Sequence, residues 1–282
     1  MEAIIKINLD GLVFDCHTSG DKKDPMILFL HGFPETAFMW KPLMKAFAQK
    51  GYYCVAPNQR GYSGGACPKG KKHYRIDSLV ADVLGFAKAL NKSQFHLVGH
   101  DWGAVIGWNV VYHYPDKILS WTALSVPHMQ SFGKAMTTDP EQKKMSQYIK
   151  DFQLPFLPEM RIMKNDLKLF KRLWKYHSKE ETTYYLKVFR NRNQLTAALN
   201  YYRANYKLLK SAKKGQILGE IDVPTLFIWG NKDIALGKAG VDGTPQFMKN
   251  DYQFVELEAG HWLIQTQYEK IKTYIIEFID QN

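Results

Sequence analysis

The apolar run Phe95-His96-Leu97-Val98 passes without a spacer through Gly99-His100-Asp101-Trp102-Gly103-Ala104 into the helical pattern VIGWNVVYHY at Val105 to Tyr114. A strand that turns so abruptly into a helix holds its middle residue in a strained backbone conformation, which only small neighbours such as Gly99 and Gly103 permit. Asp101 is that middle residue. The amides opening the helix favour its ionised carboxylate, the nucleophilic form.

Similar apolar runs recur at Ile4 to Ile7, Leu12 to Cys16, Met26 to Leu30, Tyr52 to Ala56, Leu119 to Leu124, Thr225 to Trp229 and Tyr252 to Leu257, each read as a strand. Asp10-Gly11 joins the first two as a tight hairpin. Later runs alternate with helical patterns at Trp40 to Lys50, Ser78 to Leu90 and Val105 to Tyr114, which implies an α/β fold with a mostly parallel sheet. In such a sheet, reactive groups sit on loops at the carboxyl ends of strands. Between residues 128 and 218 the strand pattern stops and aromatic, leucine and lysine residues take helical spacing, as in KLFKRLWKYHSKEETTYYLKVF. The expected organisation is a core in two parts, 1–127 and 219–282, with a helical cap inserted between them.

The 282 residues, 45% of them hydrophobic, suffice for one core with an insertion. An excess of 38 Lys and Arg over 27 Asp and Glu raises nucleic acid or an anionic membrane as partner, but the lysines are dispersed and no nucleic-acid-binding pattern accompanies them. A solvated basic surface is expected, without nucleic acid. The start of the chain lacks a secretory leader, and no apolar run approaches a membrane span, so a mature chain beginning here and a cytoplasmic location are expected. Cys16, Cys54 and Cys67 are too few and scattered for a disulfide framework, and no metal-binding spacing occurs. No cofactor or metal is expected.

Asp101 constrains the chemistry. A serine attacking saturated carbon would give an ether with no route to hydrolysis. A carboxylate gives an ester that water can cleave, so alkylating electrophiles, epoxides or alkyl halides, are favoured over carboxylic esters. Two partners follow in the order nucleophile, acid, base: Asp233 after TLFIWG and His261 after QFVELE, each at a strand's carboxyl end. Asp233 would orient the imidazole and stabilise its charge, while His261 takes a proton from water. His96 and His100 share a face of a buried strand and read as core hydrogen bonding. The oxyanion hole falls to the backbone N–H groups of Phe33, after strand ILFL, and Trp102, after the nucleophile. Pro34 suits a cis bond. Phe33, Pro34, Trp102, Phe152 and Trp262 are expected in the substrate pocket, with Trp174 a further aromatic candidate.

The motifs HGFPE at His31 to Glu35, RGYSGG at Arg60 to Gly65, GHDWGA at Gly99 to Ala104, GNKDIAL at Gly230 to Leu236 and GHW at Gly260 to Trp262 resemble those of the soluble epoxide hydrolases of the α/β-hydrolase fold over essentially the whole chain. The resemblance implies ring opening of an apolar epoxide by Asp101, with water completing hydrolysis. It also implies two cap tyrosines that donate hydrogen bonds to the epoxide oxygen. Tyr202, before Arg203 in LNYYR, matches one, and Tyr148 in MSQYIKDFQ is chosen for the other; Tyr201, Tyr176, Tyr184 and Tyr185 are alternatives. One departure is Gln267-Tyr268-Glu269-Lys270-Ile271 after the histidine, where similar proteins often have a proline; its effect is expected at the helix start only.

Two other readings stay open. Haloalkane dehalogenases share the Asp nucleophile and the following tryptophan, but commonly place a halide-binding Asn or Trp at the position of Phe33, and the tyrosine pair would lack a purpose there. Fluoroacetate dehalogenases are similar at HGFP but use arginines near the nucleophile, and Trp102 to Ile106 contains none. A non-catalytic protein that senses a small apolar ligand would keep the shell without turnover.

Overall fold

The computed structural model describes residues 2–211 and 218–282. Eight strands form one sheet in the order β1-β2-β4-β3-β5-β6-β7-β8: β1 Ala3–Leu9, β2 Leu12–Ser19, β3 Met26–Leu30, β4 Tyr53–Pro57, β5 Phe95–His100, β6 Ile118–Leu124, β7 Thr225–Gly230 and β8 Tyr252–Leu257. Every expected run is a strand. β2 runs antiparallel to β1 and β4, and the remaining pairs are parallel. In the β1–β2 turn both Asp10 (φ 50°) and Gly11 (φ 86°) take positive φ, as a two-residue hairpin of this twist requires.

The parallel strands β3, β4, β5 and β7 are buried at every residue and mostly apolar, as expected for a sheet covered on both faces. The helices α1 Lys41–Ala48, α2 Ile76–Ala89 and α3 Trp102–His113 follow β3, β4 and β5. Helix α3 is buried along nearly its whole length, and Trp108 packs edge-on against Trp121 of β6, with its indole N–H donating to Val126 O at 3.0 Å.

Among the described residues, six helices stand between β6 and β7: α4 Met129–Thr138, α5 Pro140–Met145, α6 Gln147–Asp151, α7 Leu157–Leu173, α8 Lys179–Phe189 and α9 Arg192–Ser211. The end of the expected cap, residues 212–217, lies outside the described residues. Helix α7 is broken at Lys164–Leu167, where Asn165, Asp166 and Leu167 take positive φ. Helix α8 begins with a full capping box between Ser178 and Glu181.

Helix α9 is pinned to the core by polar bonds along its length. Gln194 donates to Tyr62 O at 2.7 Å, Tyr201 Oη to Arg60 O at 2.7 Å, and Asn205 Nδ2 to Tyr74 O at 2.9 Å. The short helix α10 Lys238–Asp242 follows β7, and α11 Leu263–Ile279 ends the fold. Non-helical backbone at Gln267 (φ −136°, ψ 32°) interrupts α11. The irregularity therefore lies inside the helix, one turn beyond its start, which corrects the expectation that Gln267-Tyr268 would alter the start alone.

Candidate active site

Phe33, Asp101, Asp233 and His261 follow β3, β5, β7 and β8, so the sheet delivers all four to its carboxyl edge. Asp101 has φ 50° and ψ −117°, a strained conformation for a residue with a side chain. The elbow fits only because its neighbours lack side chains. A methyl on Gly99 would meet the backbone of Gly103, one on Gly103 the carbonyl of Leu30, and one on Gly32 the Asp101 side chain.

Asp101 Oδ1 accepts the Phe33 N–H at 2.6 Å, and the Trp102 N–H also bonds the carboxylate. Asp101 Oδ2 faces His261 Nε2 at 3.7 Å, and His261 Nδ1 lies 2.8 Å from Asp233 Oδ2. Asp233 Oδ1 accepts the backbone N–H groups of Ala235 (2.7 Å) and Leu236 (3.1 Å), so one carboxylate oxygen is anchored and the other holds the imidazole. All three side chains are buried. Burial pushes the Asp101 carboxyl above the usual range, against the opposing pull of His261, His100 and the two amides. For His261, burial opposes the charge, but Asp233 and then Asp101 outweigh it and push the imidazole up to about 9.

Asp101 and His261 open into a cavity of about 380 Å³, whose wall includes Phe33, Pro34, Tyr148, Phe152, Tyr202 and Trp262. The Phe33–Pro34 peptide is cis. Tyr148 and Tyr202 come from α6 and α9, and their rings are 5.9 Å apart. Burial raises both phenols, and the Tyr148 hydroxyl is in hydrogen-bonding contact with Tyr202. Arg203, next to Tyr202, ties the two segments together by donating to Phe152 O at 2.9 Å and gripping Glu159 with two nitrogens at 2.7 and 2.9 Å.

The alternative tyrosines lie elsewhere. Tyr201 is spent on Arg60 O, the Tyr184 hydroxyl accepts from Asn58 Nδ2 at 3.0 Å, Tyr185 is buried beside Trp174, and Tyr176 is exposed.

Two pocket expectations need correction. The Trp102 indole is outside the cavity wall, because the elbow turns it edge-on against Tyr201 and Tyr202, with ring centres 5.4 and 5.0 Å away. Trp174 is also outside the wall, buried with its N–H donating to Pro34 O at 3.1 Å. His96 lies 2.8 Å from Ser120 Oγ, in keeping with core hydrogen bonding.

His100 has a wider role than that reading. Its Nε2 lies 3.0 Å from His261 O and its Nδ1 3.1 Å from the fully buried Glu35 Oε2. Glu35 Oε1 lies 2.9 Å from His177 Nε2 of the cap and accepts from Gln265 Nε2 at 2.8 Å. Burial opposes the Glu35 charge, but His100 and His177 outweigh it and hold the carboxyl below its usual range. Sequence reasoning passed over this network. Glu35, an ionisable residue ending an apolar strand and its tight turn, was the available signal; His177 gave none.

A larger groove of about 810 Å³, lined by polar residues including Lys69, Arg192 and Asn200, contains none of the triad. Among the described residues no cluster could hold a metal ion, and no helix is long and apolar enough to cross a membrane.

Residues 25–266 match the α/β-hydrolase fold family. Human epoxide hydrolase 4 is 29% identical over 98% of this chain and 78% of its own length. Epoxide hydrolase 1 of Caenorhabditis elegans is 31% identical over 93% of this chain and 67% of its own length. The Bacillus megaterium epoxide hydrolase solved with an inhibitor superposes with a TM-score of 0.89 at 25% identity, covering 98% of this chain and all of that one. One from Vigna radiata gives 0.86 at 27% identity, covering all of this chain and 98% of that one. With its strand-end triad and cap, the chain belongs to the α/β-hydrolase fold family, in its epoxide hydrolase branch.

Proposed function

We propose that the chain opens apolar epoxides to vicinal diols through an ester on Asp101. The observation that carries this reading is the division of labour on one carboxylate. Oδ1 accepts the Phe33 amide and the Trp102 amide also bonds the carboxylate, while Oδ2 faces His261 at 3.7 Å in a cavity whose wall carries Tyr148 and Tyr202.

In the first step Oδ2 attacks an epoxide carbon, the carbon–oxygen bond breaks, and a phenol of Tyr148 or Tyr202 gives its proton to the leaving oxygen. Fixed donors matter because an alkoxide is a poor leaving group at neutral pH. In the second step His261 takes a proton from water as the water oxygen adds to the Asp101 ester carbon. Oδ1 becomes the oxyanion and stays on the Phe33 amide that already binds it, with the Trp102 amide as its second donor. Collapse breaks the bond from the Asp101 carboxyl carbon to Oδ2, and the imidazolium gives its proton to the departing alkoxide to release the diol. The new carboxylic acid, one of whose oxygens comes from water, returns its proton to the phenolate and leaves the Asp101 carboxylate. Asp233 holds the imidazole tautomer throughout.

His261 must be neutral to accept that proton, yet three carboxylates favour its charged form in the resting site. Esterification removes the Asp101 charge. One of the three carboxylates that raise the imidazole pKa, Asp233, Asp101 and Glu35, is thereby neutralised at the moment a base is needed.

Single turnover of styrene oxide in heavy-oxygen water tests the reading. Label should enter Asp101 and leave the first diol unlabelled. Label in the first diol would mean direct attack by water and contradict the ester.

A further inference from the structure

The first half of α7 and the turn before it present exposed apolar and basic side chains beside the cavity, whose wall takes Pro158, Arg161 and Leu169 from the same helix. Among the described residues, Phe156 is 68% exposed and Met160 62%, and Leu154, Leu169 and Tyr176 are also exposed. Ile234, 64% exposed, lines the cavity with Leu169, Met160 stands in sequence between the cavity-lining Pro158 and Arg161, and Phe156 borders the larger polar groove. Solvent-exposed apolar groups scattered singly are ordinary, but several of them along one short stretch of a helix mark an interaction surface. Phe156 is also held at φ 60° and ψ −34°, a conformation unfavourable for a bulky residue, and it still projects into solvent.

The charges interleaved with this patch favour an anionic partner. Arg161, Lys164, Lys168, Arg172 and Lys175 are exposed and have no carboxylate partner among the described residues. The nearby acids are already engaged, Glu159 by Arg203 and Asp166 by Lys171 and Arg190; Asp151 at the cavity wall is the exception. Basic side chains with aliphatic stems beside exposed Phe, Met and Leu suit the headgroup boundary of a bilayer. The apolar groups enter the acyl edge while the cations meet lipid phosphates and carboxylates.

From this we infer that the cap face around Phe156, Met160, Lys164 and Lys168 docks on an anionic lipid surface and turns the cavity mouth toward it. The docking stands on the surface itself. Its use, direct entry of an apolar epoxide from lipid, rests on the proposed chemistry.

The test is sedimentation of the protein with vesicles of equimolar phosphatidylcholine and phosphatidylserine, beside vesicles of phosphatidylcholine alone. The whole chain should bind the mixed vesicles at least tenfold more tightly, and less so as salt rises. Lys164→Gln with Lys168→Gln should weaken that binding roughly fivefold per lysine. Phe156→Asn with Met160→Gln should weaken it further. All variants should keep the wild-type melting temperature and the hydrolysis rate of a water-soluble epoxide.

No vesicle binding, or binding indifferent to both pairs of substitutions, would overturn the inference. So would concentration-dependent self-association that the Phe156 and Met160 variants abolish without any vesicle binding, since the partner would then be a second copy. Vesicle binding that persists while epoxides go unhydrolysed would sink the chemical reading and leave the docking intact.

Discussion

His261 Nε2 stands 3.7 Å from Asp101 Oδ2, whereas its Nδ1 lies 2.8 Å from Asp233 Oδ2. The first separation is beyond a hydrogen bond, so the base and the nucleophile share charge without tying each other up. Asp101 keeps an oxygen free for attack. The imidazole is nevertheless stabilised in its charged form by both carboxylates.

The titration of His261 follows from that arrangement. In the free enzyme it should titrate near about 9, and Asp101→Asn should lower the value. Imidazole proton NMR across the pH range reads both; an unchanged value in Asp101→Asn would contradict the coupling. The folded pKa lies above the ordinary 6.5, so the charged ring stabilises the fold fully below 6.5 and loses that contribution as pH rises through about 9. Urea melts should show the wild type losing stability relative to His261→Gln over that interval.

The two phenols should act on ring opening alone. Tyr148→Phe and Tyr202→Phe should each slow ester formation by about 10²-fold, with the double substitution slower still, while hydrolysis of the preformed ester keeps its rate. Stopped-flow tryptophan fluorescence separates the two steps. A loss confined to ester hydrolysis would remove the tyrosines from the proposed role.

Glu35 links the oxyanion loop to His100 beneath the base and to His177 in the cap. Removing this fully buried carboxylate by Glu35→Ala should cost about 3–5 kcal/mol of stability, because its partners are left buried and unpaired. Its folded pKa is depressed, so the contribution is present above the ordinary 4.5 and lost as pH falls toward the lowered value. His177→Ala removes one of its partners and should cost about 1–3 kcal/mol. Urea denaturation at neutral and acid pH measures each; a neutral-pH loss below about 1 kcal/mol for Glu35→Ala would show that the network does not hold the loop.

The sheet was legible because each strand is a short apolar run bounded by turn residues, and because Asp10-Gly11 leaves one hairpin geometry. The meeting of Asp101, Asp233 and His261 was legible for a related reason: in a parallel sheet the residue after the run is the residue at the edge, so all three fall together by position. Tyr202 could be found beside Arg203, whose grip on Glu159 and Phe152 O fixes the helix that carries the phenol.

Contacts between distant segments were not legible. Nothing local in the chain announces that His177 meets Glu35, 142 positions away, or that the elbow turns the Trp102 ring away from the cavity. The break in α7 at Lys164–Leu167 has no glycine or proline to mark it. Phe156 has the aromatic character of a core residue, yet it is 68% exposed.

Intact-protein mass spectrometry of His261→Gln mixed with styrene oxide tests the central chemistry most directly. With the nucleophile present and the base absent, the protein should gain the mass of the whole epoxide, and the adduct should map to Asp101 and be missing from Asp101→Ser. An alkyl halide run beside it should leave no adduct. Gain of the alkyl group with release of halide, and none from the epoxide, would make this site a dehalogenase, and no adduct from either reagent would contradict covalent catalysis by Asp101.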